Sequence, residues 1–149
     1  MLDTTMNLDS MVSFPLYASA KAMVSSYKPF LDDYNLTFTQ YLTMLVLWDK
    51  ENLRVKDLGS ILHLDSGTLT PLLKKLTAKG YINRAHGQRD EREVFLTLTE
   101  EGQALKDKLR DLPEKSAACF NISAEEFSQL YTLLSKILKN LEDANSKNI

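Results

Sequence analysis

Cysteine is almost absent: Cys119 is the only one in 149 residues, which excludes a disulfide within the chain. With only His63 and His86 beside it, no zinc-ligand spacing can be assembled, so neither a metal nor a cofactor is expected. The five glycines form no phosphate loop, no serine sits in a nucleophile elbow, and no carboxylate pair stands out. An enzyme therefore has nothing to work with. Long hydrophobic runs are missing too: the cleanest, residues 44–48, is far too short to span a bilayer. Residues 1–10 lack the basic start of a secretion signal. The expectation is a soluble, cytoplasmic chain without a membrane partner. At 149 residues and 44% hydrophobic it has one domain's length and enough apolar side chains for a core.

What is present is basic charge concentrated in one place. Between Pro71 and Arg92 stand six cations, Lys74, Lys75, Lys79, Arg84, Arg89 and Arg92, against Asp90 and Glu91. That local excess of +4 belongs to a chain whose net charge is -2, and concentration of this kind suits a phosphate-contacting surface. The surrounding pattern predicts two short helices, 56–62 and 66–79, joined by His63-Leu64-Asp65, then a hairpin over 81–98. Helix, tight turn, helix and two-stranded ribbon is the layout of a winged helix-turn-helix, whose second helix enters the major groove of DNA.

The second helix opens with Ser66, Thr68 and Thr70 and carries Lys74 and Lys75 one turn on. Short hydroxyls near a helix start can approach base edges or phosphates, and the lysines can reach the flanking backbone. Ordinary capping and a solvated lysine face would look the same, and it is the hairpin that tips the balance. In that hairpin Ile82, Val94, Phe95, Leu96 and Leu98 are strand-like, while residues 86–92 are polar and turn-forming. Arg84 lies on its first arm. Arg89 and Arg92 can enter a minor groove with Asp90 holding Arg92; a surface salt bridge is the competing account.

The other segments read as helices. Tyr17, Ala20, Val24, Tyr27, Leu31 and Tyr34 recur at steps of three and four, with Ser13 as the expected N-cap, Pro15 in the first turn and Pro29 expected to kink or interrupt. Thr37 to Gln40 is a capping box, and the apolar residues 41–49 should form a buried core helix, followed by a short strand over 53–55. Pro71 is expected at the edge of its helix's first turn, with that helix beginning near Gly67. Thr99 should cap a helix striped by Leu105, Leu109 and Leu112 that ends or bends at Pro113. Ser123 to Glu126 is a second capping box. After it, Phe127, Leu130, Leu134, Ile137 and Leu141 form a seam that needs a partner helix, from the same chain or from a second copy. The polar tail from Ala144 should fray. The fold class is mainly α with a small antiparallel β wing, in one domain spanning 1–149.

The run Leu64-Asp65-Ser66-Gly67-Thr68-Leu69-Thr70-Pro71-Leu72-Leu73-Lys74-Lys75-Leu76, with Asp90-Glu91-Arg92 and Leu96-Thr97-Leu98-Thr99-Glu100-Glu101-Gly102, carries a resemblance. It is similar to the MarR family of bacterial transcription regulators, above all the peroxide-sensing OhrR branch and its staphylococcal relatives. The resemblance extends over nearly the whole chain. It implies a homodimer built from helices in 1–36 and 111–149 around the winged helix-turn-helix of 53–98, binding a pseudo-palindromic duplex operator as a repressor, with a place in the response to oxidative stress. It also implies an effector, either peroxide acting on a thiol or a small aromatic molecule. In that branch a reactive cysteine opens the first helix and tyrosines hydrogen-bond its sulfur. Ser13 stands at the cysteine position, Tyr17 and Tyr27 match family tyrosines, and Phe38 stands where a tyrosine is usual. A serine hydroxyl cannot form a sulfenic acid. Either the chain is a serine-for-cysteine variant of a sensor or it answers to something else. Cys119 falls where two-cysteine members carry a resolving cysteine, and a small buried hydrophobe is its alternative role. A winged-helix module that binds protein rather than DNA is the reading from a different class.

Overall fold

Seven α-helices and three strands are present among residues 7–147, the part of the chain that the computed structural model describes. In order they are a 3-10 turn Leu8–Ser10, α1 Ser13–Leu31, a 3-10 turn Asp32–Tyr34, α2 Phe38–Asp49, β1 Leu53–Arg54, α3 Val55–Leu62 and α4 Ser66–Ala78. Then follow β2 Ile82–His86, β3 Val94–Leu98, α5 Glu100–Lys108, α6 Leu112–Ala118 and α7 Ala124–Lys147. The chain divides into two compact units, Met1–Pro113 and Glu114–Ile149. The expected absence of a secretion signal falls partly on residues 1–6, outside the described residues.

Local chemistry sets most of the boundaries. Thr37 caps α2 in a complete capping box: its hydroxyl accepts from the Gln40 N–H at 3.3 Å, and Gln40 Oε1 accepts from the Thr37 N–H at 3.1 Å. Ser123 and Glu126 repeat the exchange at the start of α7. Thr99 caps α5, its hydroxyl accepting from Gly102 N–H at 3.0 Å.

Several expectations need correction. Val12, not Ser13, occupies the cap of α1, and no side chain caps that end; Ser13 is already helical. Pro29 does not interrupt α1, which runs two residues further before tightening into the 3-10 turn Asp32–Tyr34. Val55 starts α3 instead of ending the strand. Asp65 caps α4 and the helix begins at Ser66, so Pro71 lies inside it, beyond the first turn. Pro71 is exposed, where water can satisfy the carbonyl that its ring leaves without a donor. Pro113 ends nothing: α5 stops at Lys108, and Pro113 sits in the first turn of α6, where a missing N–H costs no helical bond. α7 continues through the polar tail to Lys147; residues 148–149 lie outside the described part.

The core of the first unit is a leucine cluster. Leu69, Leu72, Leu73 and Leu76, at steps of three and four on α4, are all buried, facing Leu58 of α3, Met44 and Leu47 of α2, and Ile82 and Leu96 of the sheet. Each buried leucine contributes about 1.5–3 kcal/mol relative to exposure. α2 is buried on one face only: Gln40, Tyr41, Thr43, Met44 and Leu47 are enclosed, while Leu45 is exposed. A helix apolar nearly all round thus keeps one open side.

The sheet is antiparallel in the order β1-β3-β2, with Leu53 opposite Leu96 and Ile82 opposite Leu98. β2 is buried only at Ile82; its remaining residues are exposed, so the outer part of the hairpin stands away from the core as a wing. Between α3 and α4 the chain turns sharply, with His63 in the left-handed region at φ 53°. Gly59 permits the close return, because a Cβ there would lie 2.9 Å from the Leu64 carbonyl oxygen.

Candidate nucleic-acid interface

α4 divides cleanly by period. Its leucines face the core, and Ser66, Thr68, Thr70, Lys74 and Lys75 are exposed on the opposite side, so all five expected contact residues of this helix lie open to a partner. The Asp65 carboxylate accepts the Thr68 N–H at 2.8 Å, and the backbone and hydroxyl donation of Thr68 holds its carboxyl below the usual range. The Thr70 hydroxyl donates back to the Ser66 carbonyl at 2.8 Å, leaving its lone pairs outward as acceptors.

Lys79 departs from the patch. It is the C-cap of α4, and its ammonium donates to Gln40 Oε1 at 2.9 Å and to the Asn35 carbonyl. Burial, and then the charge of Lys75, lowers its pKa. One of the six cations counted in the sequence therefore ties α4 to the start of α2.

The wing carries the rest. Arg84 on β2 and Arg89 and Arg92 in the turn are exposed. Asp90 Oδ1 accepts the backbone N–H of Arg92 at 2.9 Å, so this carboxylate shapes the main chain from which the arginine projects. The turn is closed by Gly87 N–H to the Glu93 carbonyl at 2.8 Å and by Glu93 N–H to the Asp90 carbonyl at 3.1 Å. His86 Nδ1 lies 2.8 Å from the Glu91 carbonyl oxygen. Across from the turn, Arg54 donates to Asp57 and Glu93. Its bonds to Asp57 first and Glu93 second raise its pKa further above the ordinary arginine range. The Arg54–Glu93 pairing joins β1 to the residue directly before β3, so remote in the chain that it leaves no local signature in the sequence.

The residues aligned with a redox site are spread along the chain. Ser13 is exposed at the start of α1, and Tyr17 one turn later is exposed with the Lys21 ammonium 5.4 Å from its ring centre. Tyr27 is half-buried against Phe38 and Tyr41, at centroid distances of 4.7 and 5.9 Å. Burial, and then Tyr27, pushes the Tyr41 phenol up to about 12. In the second unit Cys119 is exposed, not a buried hydrophobe, and its thiol donates to the Lys115 carbonyl at 3.4 Å. Among the described residues no group of three or more His, Cys, Asp or Glu could hold a metal ion, and no helix is long and apolar enough to cross a membrane.

Comparison with known proteins places this geometry. The family described as transcriptional regulator SarA/Rot matches residues 25–109, more than half of the chain. The organic hydroperoxide resistance transcriptional regulator of Bacillus subtilis is 44% identical over 140 residues, covering 94% of this chain and 95% of that protein. The chain belongs to the SarA/Rot–MarR-type family of winged-helix transcriptional regulators. The regulator is also 39% identical to SarZ of Staphylococcus aureus over 141 residues, covering 94% of this chain and 95% of SarZ. Reduced AbfR bound to DNA, a protein of Staphylococcus epidermidis, superposes with a TM-score of 0.76 at 29% identity, covering 91% of this regulator and 94% of AbfR. These relatives are transcriptional regulators and not enzymes.

Proposed function

We propose that this regulator is a homodimeric repressor that binds a pseudo-palindromic DNA operator. In this reading α4 enters the major groove with Ser66, Thr68, Thr70, Lys74 and Lys75, while Arg89 and Arg92 of the wing reach an adjacent minor groove and Arg84 the backbone. The observation that carries it is the sidedness of α4: four leucines are committed to the core, and every polar residue expected to meet DNA faces out. The DNA-bound state of its relative AbfR supports the same reading. So cationic an exposed edge argues against a module that binds only protein.

The dimer rests on α7. Phe127, Leu130, Leu134, Ile137 and Leu141 are 39–57% exposed along one 24-residue helix, an apolar stripe that a second copy can cover. Helices from 1–36 and 111–149 then build the dimer, and two recognition helices address half-sites about 34–36 Å apart.

For the switch we infer the hydroperoxide-regulator pattern, oxidation of a thiol at position 13, in which Cys119 is the candidate partner; this chain carries Ser13 there, and its hydroxyl cannot form a sulfenic acid. A second reading, release by a small aromatic ligand, is favoured by the same serine.

The test is a salt titration of binding to a duplex that the chain itself selects from a random-sequence pool. Each neutralised phosphate should contribute about -0.9 to the slope of log affinity against log salt, with dimer stoichiometry. A flat response, or a monomer at micromolar concentration, would be decisive against it.

A further inference from the structure

Arg54 ends β1 and is the N-cap residue of α3. Its Nε and Nη2 donate to the two carboxylate oxygens of Asp57, in the first turn of α3, at 2.8 and 3.2 Å. Its Nη1 donates to Glu93 Oε1 at 3.0 Å. Glu93 is the last residue of the turn at the outer end of the hairpin, directly before β3, and its backbone N–H and carbonyl both take part in closing that turn, which carries Arg89 and Arg92. One guanidinium therefore joins the first helix of the helix-turn-helix to the turn of the wing.

Stability does not call for this arrangement. The side chains of Arg54, Asp57 and Glu93 are 40–46% exposed, and ion pairs so open to water contribute little to folding. The β1–β3 ladder, with Arg54 opposite Phe95, already aligns the two backbones. What the ladder leaves free is the angle of the arm beyond Val94, and a bidentate pair plus a third bond to the other side restricts that angle.

We propose that Arg54 is a positioning residue for DNA binding, which bridges Asp57 and Glu93 so that Arg89 and Arg92 arrive at the duplex together with α4. The proposal rests on the reading that the wing arginines contact DNA. In this proposal Arg54 acts through the wing, because three of its five N–H donors are committed to carboxylates. The energetic effect belongs to preorganisation: a wing held in its bound orientation loses less freedom on binding.

The experiment separates bracing from charge. In Arg54→Met, Asp57→Asn, Glu93→Gln the net charge of the triad rises from -1 to zero, so charge alone predicts equal or tighter DNA binding. Bracing predicts the opposite, affinity for the self-selected duplex weaker by about tenfold, with an unchanged melting temperature. Arg54→Lys should recover only part of the affinity, because an ammonium cannot make the bidentate pair. The same triple change is then made in Arg89→Ala, Arg92→Ala, where the brace has nothing left to position, and its penalty should vanish. Equal or tighter binding by the triple variant, or an equal penalty in both backgrounds, would overturn the proposal. Unchanged affinity of the Arg89→Ala, Arg92→Ala chain by itself would instead overturn the wing reading, and the brace with it.

Discussion

Gly102 shows how one residue sets the seat of the wing. A Cβ built there would lie 2.0 Å from the Tyr81 carbonyl oxygen and 3.0 Å from its carbon, both backbone atoms that cannot rotate aside. The Gly102 carbonyl also accepts the Trp48 indole N–H at 2.9 Å, so α5, α2 and the start of the hairpin meet at one main-chain point. Gly102→Ala should therefore destabilise the protein by about 1–3 kcal/mol, the usual scale of overpacking, seen as a lower denaturation midpoint at constant slope. An unaltered midpoint would mean that α5 can move away freely. Arg92 is the contrasting case, since its backbone is anchored by Asp90 and its side chain is exposed. Arg92→Ala should weaken operator binding by about 1–3 kcal/mol with the fold intact, and wild-type affinity would remove Arg92 from the interface.

Among the described elements, α7 carries the most exposed large hydrophobic side chains. Leu134 lies mid-helix and is 39% exposed, so a charge placed there meets water in a lone chain and costs its fold little. In a two-copy seam the same charge would be buried without a partner. Leu134→Glu should therefore yield a folded monomer by sedimentation, with unchanged helical content by circular dichroism and operator affinity lost along with the second recognition helix. A dimer that persists in Leu134→Glu would move the interface elsewhere. The α4 helix teaches a different point: its Asp65 cap and leucine stripe outweigh the missing donor at Pro71, and the helix simply runs on.

At the scale of the whole molecule, release from DNA turns on which residue meets the effector. Ser13 supplies an alcohol where a thiolate would be the nucleophile, and the single thiol, Cys119, lies in the other unit. Organic hydroperoxide should leave the unmodified chain on its operator. In Ser13→Cys, the Tyr17 phenol one turn on, or the Tyr27 phenol of a second copy, can donate to a thiolate and favour the charged form, the chain's own Tyr27 lying about four turns away along α1, so peroxide should yield a sulfenic acid and release. Ser13→Cys with Cys119→Ser then reports on pairing: loss of a cross-linked species on a non-reducing gel assigns Cys119 as the resolving thiol. Release of the unmodified chain by peroxide would make Cys119 the sensor, and an inert Ser13→Cys would leave the small-ligand reading.

Local physics, legible in short stretches, placed the helix starts. Thr37, Thr99 and Ser123 start helices because a hydroxyl and a free N–H three residues on need nothing else. The resemblance carried by residues 64–76 supplied the family. Tertiary structure decided which charges are available. Lys79, counted among the basic residues, is drawn inward by Gln40 and Asn35, some forty positions earlier. Arg54 is occupied by Glu93, equally remote in the chain. Whether a cation on the surface can meet a phosphate depends on the acceptors that folding brings beside it, and those come from distant segments whose approach no short stretch of sequence encodes.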